Sequence, residues 1–181
     1  MIILNQCFVY RIKGCESVSL VIKDGVLEMY IEEDETEVII PEGVKHIADE
    51  AFRSCRKLES IIIPYGVKSI GRWTFANCRH LKNITLPNSI KEIRERVFYG
   101  CIALESIVIP DSVIMIDDGA FYNCENLKNI IIPDSVRDIG DYAFFGCVGF
   151  EEIKIPDSVQ SIGEGPYNGC EKFKVSLSRQ V

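Results

Sequence analysis

Residues 127–147 carry the pattern Leu127-x-x-Ile130-x-Ile132-Pro133-x-Ser135-Val136-x-x-Ile139-Gly140-x-x-Ala143-Phe144-x-x-Cys147, and the pattern returns along the chain every 23 residues. Cysteines keep that step at Cys55, Cys78, Cys101, Cys124, Cys147 and Cys170, and prolines at Pro41, Pro64, Pro87, Pro110, Pro133 and Pro156. Aromatic residues follow at Phe52, Phe75, Phe98, Phe121 and Phe144, with Tyr167 last, and apolar columns run through Leu58, Ile61, Val44 and Ile47. A fixed period of this size, with apolar residues at constant offsets, marks a solenoid. One unit cannot cover its own apolar face, so stacked units must share a continuous core.

Each unit reads as a closed coil. The β-branched stretches Ile61-Ile62-Ile63 and Ile107-Val108-Ile109 are short and end at proline, which predicts strands. Alternation points Ile61 and Ile63 inward and Ile62 outward. Proline lacks the N–H that a ladder needs, so it stops the strand and turns the chain. Val-x-x-Ile then forms a second extended rung, and segments such as Asp141-Tyr142-Ala143-Phe144-Phe145 close the coil through a tight helical turn. At a coil spacing of ~4.8 Å the Phe/Tyr column and the Cys column become ladders.

This pattern resembles the BspA-type leucine-rich repeats, the 23-residue class of that superfamily, across residues 37 to 174. The resemblance implies an α/β solenoid that is mostly β: a right-handed leucine-rich-repeat superhelix with short helical turns. It also implies a non-catalytic protein-binding role, and many family members are surface proteins of host-associated microbes. The domain reading is an N-terminal β cap at 1–36, six repeats at 37–174 and a C-terminal tail at 175–181. Within the cap, residues 18–23 and 26–31 flank Asp24-Gly25, a two-residue hairpin signal, because both residues tolerate positive φ. At the far end Pro166-Tyr167 replaces Ala-Phe and the last strand turns polar, which blunts the edge.

The chain has 181 residues, 47% of them hydrophobic, a size and composition suited to one folded domain. No run of ~18 apolar residues is present, so no membrane insertion is expected. The start, Met1 to Cys7, lacks the basic head and long apolar stretch of a secretory signal. That points to the cytoplasm, whereas the family resemblance points to a secreted or surface location.

Eight cysteines raise the question of a metal or redox array. Metal sites group their ligands, as in paired C-x-x-C, and no such grouping occurs. The column therefore reads as small buried thiols filling each turn. Cys7 and Cys15 lie outside it, as a pair or as two free thiols. His46 and His80 occupy different columns with no nucleophile or acid in triad-like spacing, and the glycines sit at turn columns rather than in a phosphate loop. No catalytic residue, metal or cofactor is expected.

The surface columns carry the functional reading. Glu59, Lys82, Glu105, Lys128, Glu151 and Lys174 alternate in sign, which fixes stacking order. The outward strand column, with Ile62, Thr85, Val108 and Ile131, is a β-branched stripe that suits either a binding face or plain strand preference. Charge is banded: residues 51–100 hold 10 basic and 3 acidic side chains, net +7, between two segments of net −7. Arg53, Arg56, Lys57, Arg72, Arg79 and Arg96 lie in that band, some of them with His80 along one edge near the Cys turn. Trp73, Tyr99 and Tyr122 offer contact area beside them.

The expected partner is another protein, acidic in character, with a polyanion or glycan as the other ligand class and a surface adhesin binding host matrix as the alternative role. A homodimer through a terminal coil or through the charge bands is the remaining possibility. Asn83-Ile84-Thr85 fits a glycosylation sequon for a eukaryotic secretory setting.

Overall fold

The computed structural model describes residues 2–4, 7–11, 19–31, 34–170 and 174–177. Its first part is a meander of β1 (Ile2–Leu4), β2 (Cys7–Arg11), β3 (Ser19–Lys23) and β4 (Val26–Ile31), paired antiparallel in sequence order. The β3–β4 hairpin turns at Asp24 and Gly25, with φ of 49° and 76°, as the Asp-Gly signal predicts. Each coil then supplies a longer and a shorter strand. These are β5 (Glu37–Ile39) and β6 (His46–Ile47), β7 (Ser60–Ile62) and β8 (Ser69–Ile70), and β9 (Asn83–Thr85) and β10 (Glu92–Ile93). The series continues through β11 (Ser106–Val108) and β12 (Met115–Ile116), β13 (Asn129–Ile131) and β14 (Asp138–Ile139), and β15 (Glu152–Ile155) and β16 (Ser161–Ile162), ending in β17 (Lys174–Leu177).

Longer strands stack in parallel as one wall and shorter strands as another. The register equals the sequence period: Ile61 faces Ile84, Ile107 faces Ile130 and Ile116 faces Ile139. The last step differs, since Ile153 faces Val175, one residue short of the period. Strand β4 pairs with β6 in parallel, so the N-terminal meander continues the second wall. Two steps are unpaired, β8 to β10 and β9 to β11, on opposite walls of the coil spanning 83–105.

The third side of each coil is built of turns; no helix forms among the described residues. Hydrogen bonding explains this. The amides of Trp73, Phe75 and Asn77 donate to Glu95, Val97 and Tyr99 of the next coil, while Ala76 and Cys78 donate three residues back to Trp73 and Phe75. Alternate amides are committed between coils, so no helical run can propagate. Two residues per turn take left-handed φ, in columns that include Gly119 and Gly165 but also Trp73, Arg96 and Tyr142. Glycine occupies a left-handed position without steric cost, whereas a bulky residue there is strained.

Inside, Phe52, Phe75, Phe98, Phe121 and Phe144 are fully buried and stack at centroid distances of 5.2–5.7 Å. Tyr30 and Tyr167 close the two ends of this ladder. Glycine is required where the second wall meets the turn. A Cβ on Gly71 would lie 2.4 Å from the Asp49 nitrogen, and one on Gly140 would lie 2.5 Å from that of Asp118. Those aspartates are themselves part of the stacking, since Asp49 and Asp118 accept the amides of Arg72 and Asp141 at 2.7 and 2.8 Å. Ser112 and Ser135 hydroxyls likewise donate to carbonyls of the preceding coil.

The charged column pairs Lys82 with Glu59 at 2.9 Å and Lys128 with Glu105 at 2.7 Å. The Lys128 hydrogen bond and charge hold the Glu105 carboxyl below its ordinary range. Its stabilisation is therefore present above the ordinary carboxylate pKa and lost as pH falls through the lowered value. Both side chains are exposed, so the pair directs stacking order more than it stabilises.

The Cys column is a packing column. Cys78, Cys101, Cys124 and Cys147 are buried free thiols, each donating its S–H to the Phe carbonyl of the preceding coil at 3.0–3.1 Å. A small residue fits the turn, and its weak donor adds a second hydrogen bond to a carbonyl that already accepts the amide three residues on. Burial pushes the Cys101, Cys124 and Cys147 thiols well above the ordinary range, which depletes the reactive thiolate at neutral pH. Iodoacetamide at mildly alkaline pH should label these three orders of magnitude more slowly in the native protein than in guanidinium, read by peptide mass spectrometry. Equal labelling in both states would contradict their burial. The suggested Cys7–Cys15 pair rests on Cys15, which lies outside the described residues, as do the polar side chains of the last strand.

Candidate functional site

The first wall presents its alternate residues to solvent, and parallel register aligns them. Ile39 stands beside Ile62, Ile62 beside Thr85, Val108 beside Ile131, and Ile131 beside Lys154. All are exposed, and Val108 and Ile131 reach 81%. The residues one position away in sequence, Ile61, Ile107 and Ile130, are buried. Strand alternation has therefore placed an apolar strip outside a wall whose inner face is already filled.

At the unpaired β9–β11 step the strip opens into a groove of about 480 Å³, lined by Ile63, Tyr65, Thr85, Pro87, Val108 and Pro110 among others. Tyr65 stands at its edge, 74% exposed. Sequence reasoning passed over Tyr65, although its column gave a signal. The residues one period apart there are Tyr65, Asn88, Asp111, Asp134 and Asp157, so the aromatic interrupts a polar row.

The basic band divides into groups. Arg53 and Arg96 lie over the Trp73 ring, 5.3 and 4.7 Å from its centroid. They also pair with Glu50 and Glu95 at 2.9 and 2.7 Å. Arg72 reaches Glu95 at 3.8 Å, and Lys57 pairs with Asp34. Trp73 continues into Tyr99, Tyr122 and Phe145, with centroids 5.6, 5.0 and 4.6 Å apart. Arginines on a tryptophan face and stacked rings stabilise one another, so this cluster is a second, outer ladder with its charges internally answered. The sequence flagged Trp73, Tyr99 and Tyr122 as contact area and missed Phe145, which follows Tyr99 and Tyr122 at the 23-residue step.

The remaining group is different. Ser54, Arg56, Asn77, Arg79 and His80 line one cleft of about 490 Å³ across two successive coils. This is the shared basic edge expected from the sequence, without Arg53 and Lys57. His46, the other histidine, lies elsewhere on the surface, its Nδ1 2.7 Å from Ser69 Oγ. No cluster of three or more His, Cys, Asp or Glu with metal-binding geometry occurs among the described residues. No helix among them is long and apolar enough to cross a membrane.

A solenoid of stacked parallel coils, with an inner Phe ladder, a Cys column and exposed outer columns, defines a leucine-rich-repeat protein. The BspA type Leucine rich repeat region matches residues 29–147 and 91–180, in six copies, and the chain belongs to that family. Among solved structures, a leucine-rich repeat protein of T. pallidum is similar at 30% identity and a TM-score of 0.79, covering 84% of this chain and 72% of that one. A leucine-rich repeat protein of Bacteroides ovatus shares 25% identity with a TM-score of 0.68, over 98% of this chain. A leucine rich cell surface protein of Faecalibacterium prausnitzii shares 31% identity with a TM-score of 0.66, over 92% of this chain. The chain spans 53% and 39% of the lengths of the latter two. No curated protein matches it.

Proposed function

We propose that this protein is a non-catalytic module that binds another protein through the outer apolar strip of its first wall, centred on the Tyr65–Val108 groove. The exposed strip carries the reading: β-branched side chains at 81% exposure beside an aromatic at the rim of a groove. Interfaces gain most from aromatic anchors seated in water-excluding surroundings, and Tyr65 is placed for that role. Affinity capture from the source organism should recover a partner with the parent chain. Tyr65→Ala combined with Val108→Lys should reduce recovery at least tenfold while leaving the thermal midpoint nearly unchanged, since both side chains are exposed. Equal recovery by the variant would overturn the assignment of the strip.

A second reading, a surface module of adhesin type, draws on one observation. The similar F. prausnitzii protein is described as a cell surface protein. Fractionation of source cells tests it: recovery of the native gene product wholly from the cytosol would remove this reading.

A further inference from the structure

The cleft lined by Ser54, Arg56, Asn77, Arg79 and His80 is a second site of different chemistry from the apolar groove. Arg56 and Arg79 hold the same column on successive coils, one period apart. Like charges directly adjacent across a parallel ladder repel. Lys45, Lys68 and Lys91 also repeat a charge on successive coils, whereas many of the charges near this cleft are answered. Its neighbouring column alternates Glu59, Lys82, Glu105 and Lys128 and forms ion pairs, and Arg53, Arg72, Arg96 and Lys57 all have carboxylate partners. Neither Arg56 nor Arg79 has an acidic partner among the described residues, and both are exposed. The two guanidinium groups therefore share a cleft whose charge no carboxylate answers among the described residues, beside the hydroxyl of Ser54 and the amide of Asn77.

We infer that this cleft binds a short acidic peptide segment of a partner, with carboxylates set against Arg56 and Arg79. Planar guanidinium forks match carboxylates in two-point geometry. A cleft of about 490 Å³ holds more than a lone inorganic ion. Its length argues against an extended polyanion. Beyond Arg79 the column continues as Ile102 and the exposed Glu125, and Asp34 stands at the Lys57 side, so positive charge spans two coils between acidic residues. A nucleic acid or long sulfated chain needs a continuous basic track. The inference stands independently of the apolar groove, because the two surfaces share no residue.

The test uses acetylated, amidated oligoglutamate peptides of two, four and eight residues, titrated into the isotope-labelled full chain and followed by amide NMR. Shifts should concentrate at Ser54, Arg56, Asn77, Arg79 and His80, and affinity should level off by four glutamates. Arg56→Gln/Arg79→Gln should weaken binding at least tenfold, while Val108→Lys should leave it within twofold. Absent shifts, or shifts that survive the double arginine variant, would overturn the inference. Affinity still climbing steeply from four to eight glutamates would show an extended polyanion surface instead. Inorganic phosphate competing as well as tetraglutamate would show a simple anion pocket. Either result would also overturn it. Loss of peptide binding with retained partner capture would separate failure of this cleft from failure of the groove.

Discussion

Phe121→Ala will lower the unfolding free energy by about 3–5 kcal/mol, the range for truncating a buried aromatic when the surroundings relax only in part. Phe121 is fully buried and stacks on Phe98 at 5.2 Å and Phe144 at 5.4 Å. The ring therefore holds two neighbouring coils, and its loss removes both stacking contacts along with the buried area. The backbone around it is fixed independently, because the Phe121 amide donates to Ala143 and its carbonyl accepts the Cys147 thiol. Those bonds limit collapse into the cavity, which favours the upper part of the range. Urea unfolding of parent and variant measures the difference, and coincident transitions would contradict the inner ladder.

Ile107→Asp and Val108→Asp will part company sharply. Ile107 is buried at 6% exposure in β11, whereas Val108, the next residue, is 81% exposed. A carboxylate at position 107 would be enclosed by apolar neighbours with no cationic partner, so it must protonate or force the coil open. The expected cost is several kcal/mol. A carboxylate at position 108 meets water and changes stability by about 0.5 kcal/mol or less. Thermal melts of both variants read the contrast. Equal shifts would mean that the strand faces are not assigned as described, and the exposed strip would lose its basis.

The period made much of this architecture legible. Columns at 23-residue spacing placed Phe121 inside, Val108 outside and Cys124 in the turn, because a parallel stack converts sequence period directly into register. Features that depart from the period were hidden. Tyr30 completes the inner ladder but precedes Phe52 by 22 residues, so no column pointed to it. The unpaired steps around the coil at 83–105 were also unreadable. Arg94 stands in the glycine column of Gly71 and Gly140 where pairing fails, yet Asp117 shares that column with its step paired. The turn segments looked helical from Ala-Phe spacing alone, since sequence does not show which amides the next coil will claim.

Within the candidate sites, residue type gave the inventory and the fold gave the sorting. The six arginines and lysines of the basic band separate into side chains satisfied by carboxylates and the Arg56–Arg79 pair, a division set within the turn for Arg53 and Arg96 and across coils for Lys57 and Arg72. Trp73 belongs to the satisfied group, held in a left-handed turn position beneath two arginines.

Site-specific photo-crosslinking tests the central claim most directly. A photoreactive amino acid at position 131, on the first wall, should trap the captured partner, whereas the same group at position 138, on the exposed second wall, should not. Crosslinks from position 138 with none from position 131 would contradict the assignment of the binding face.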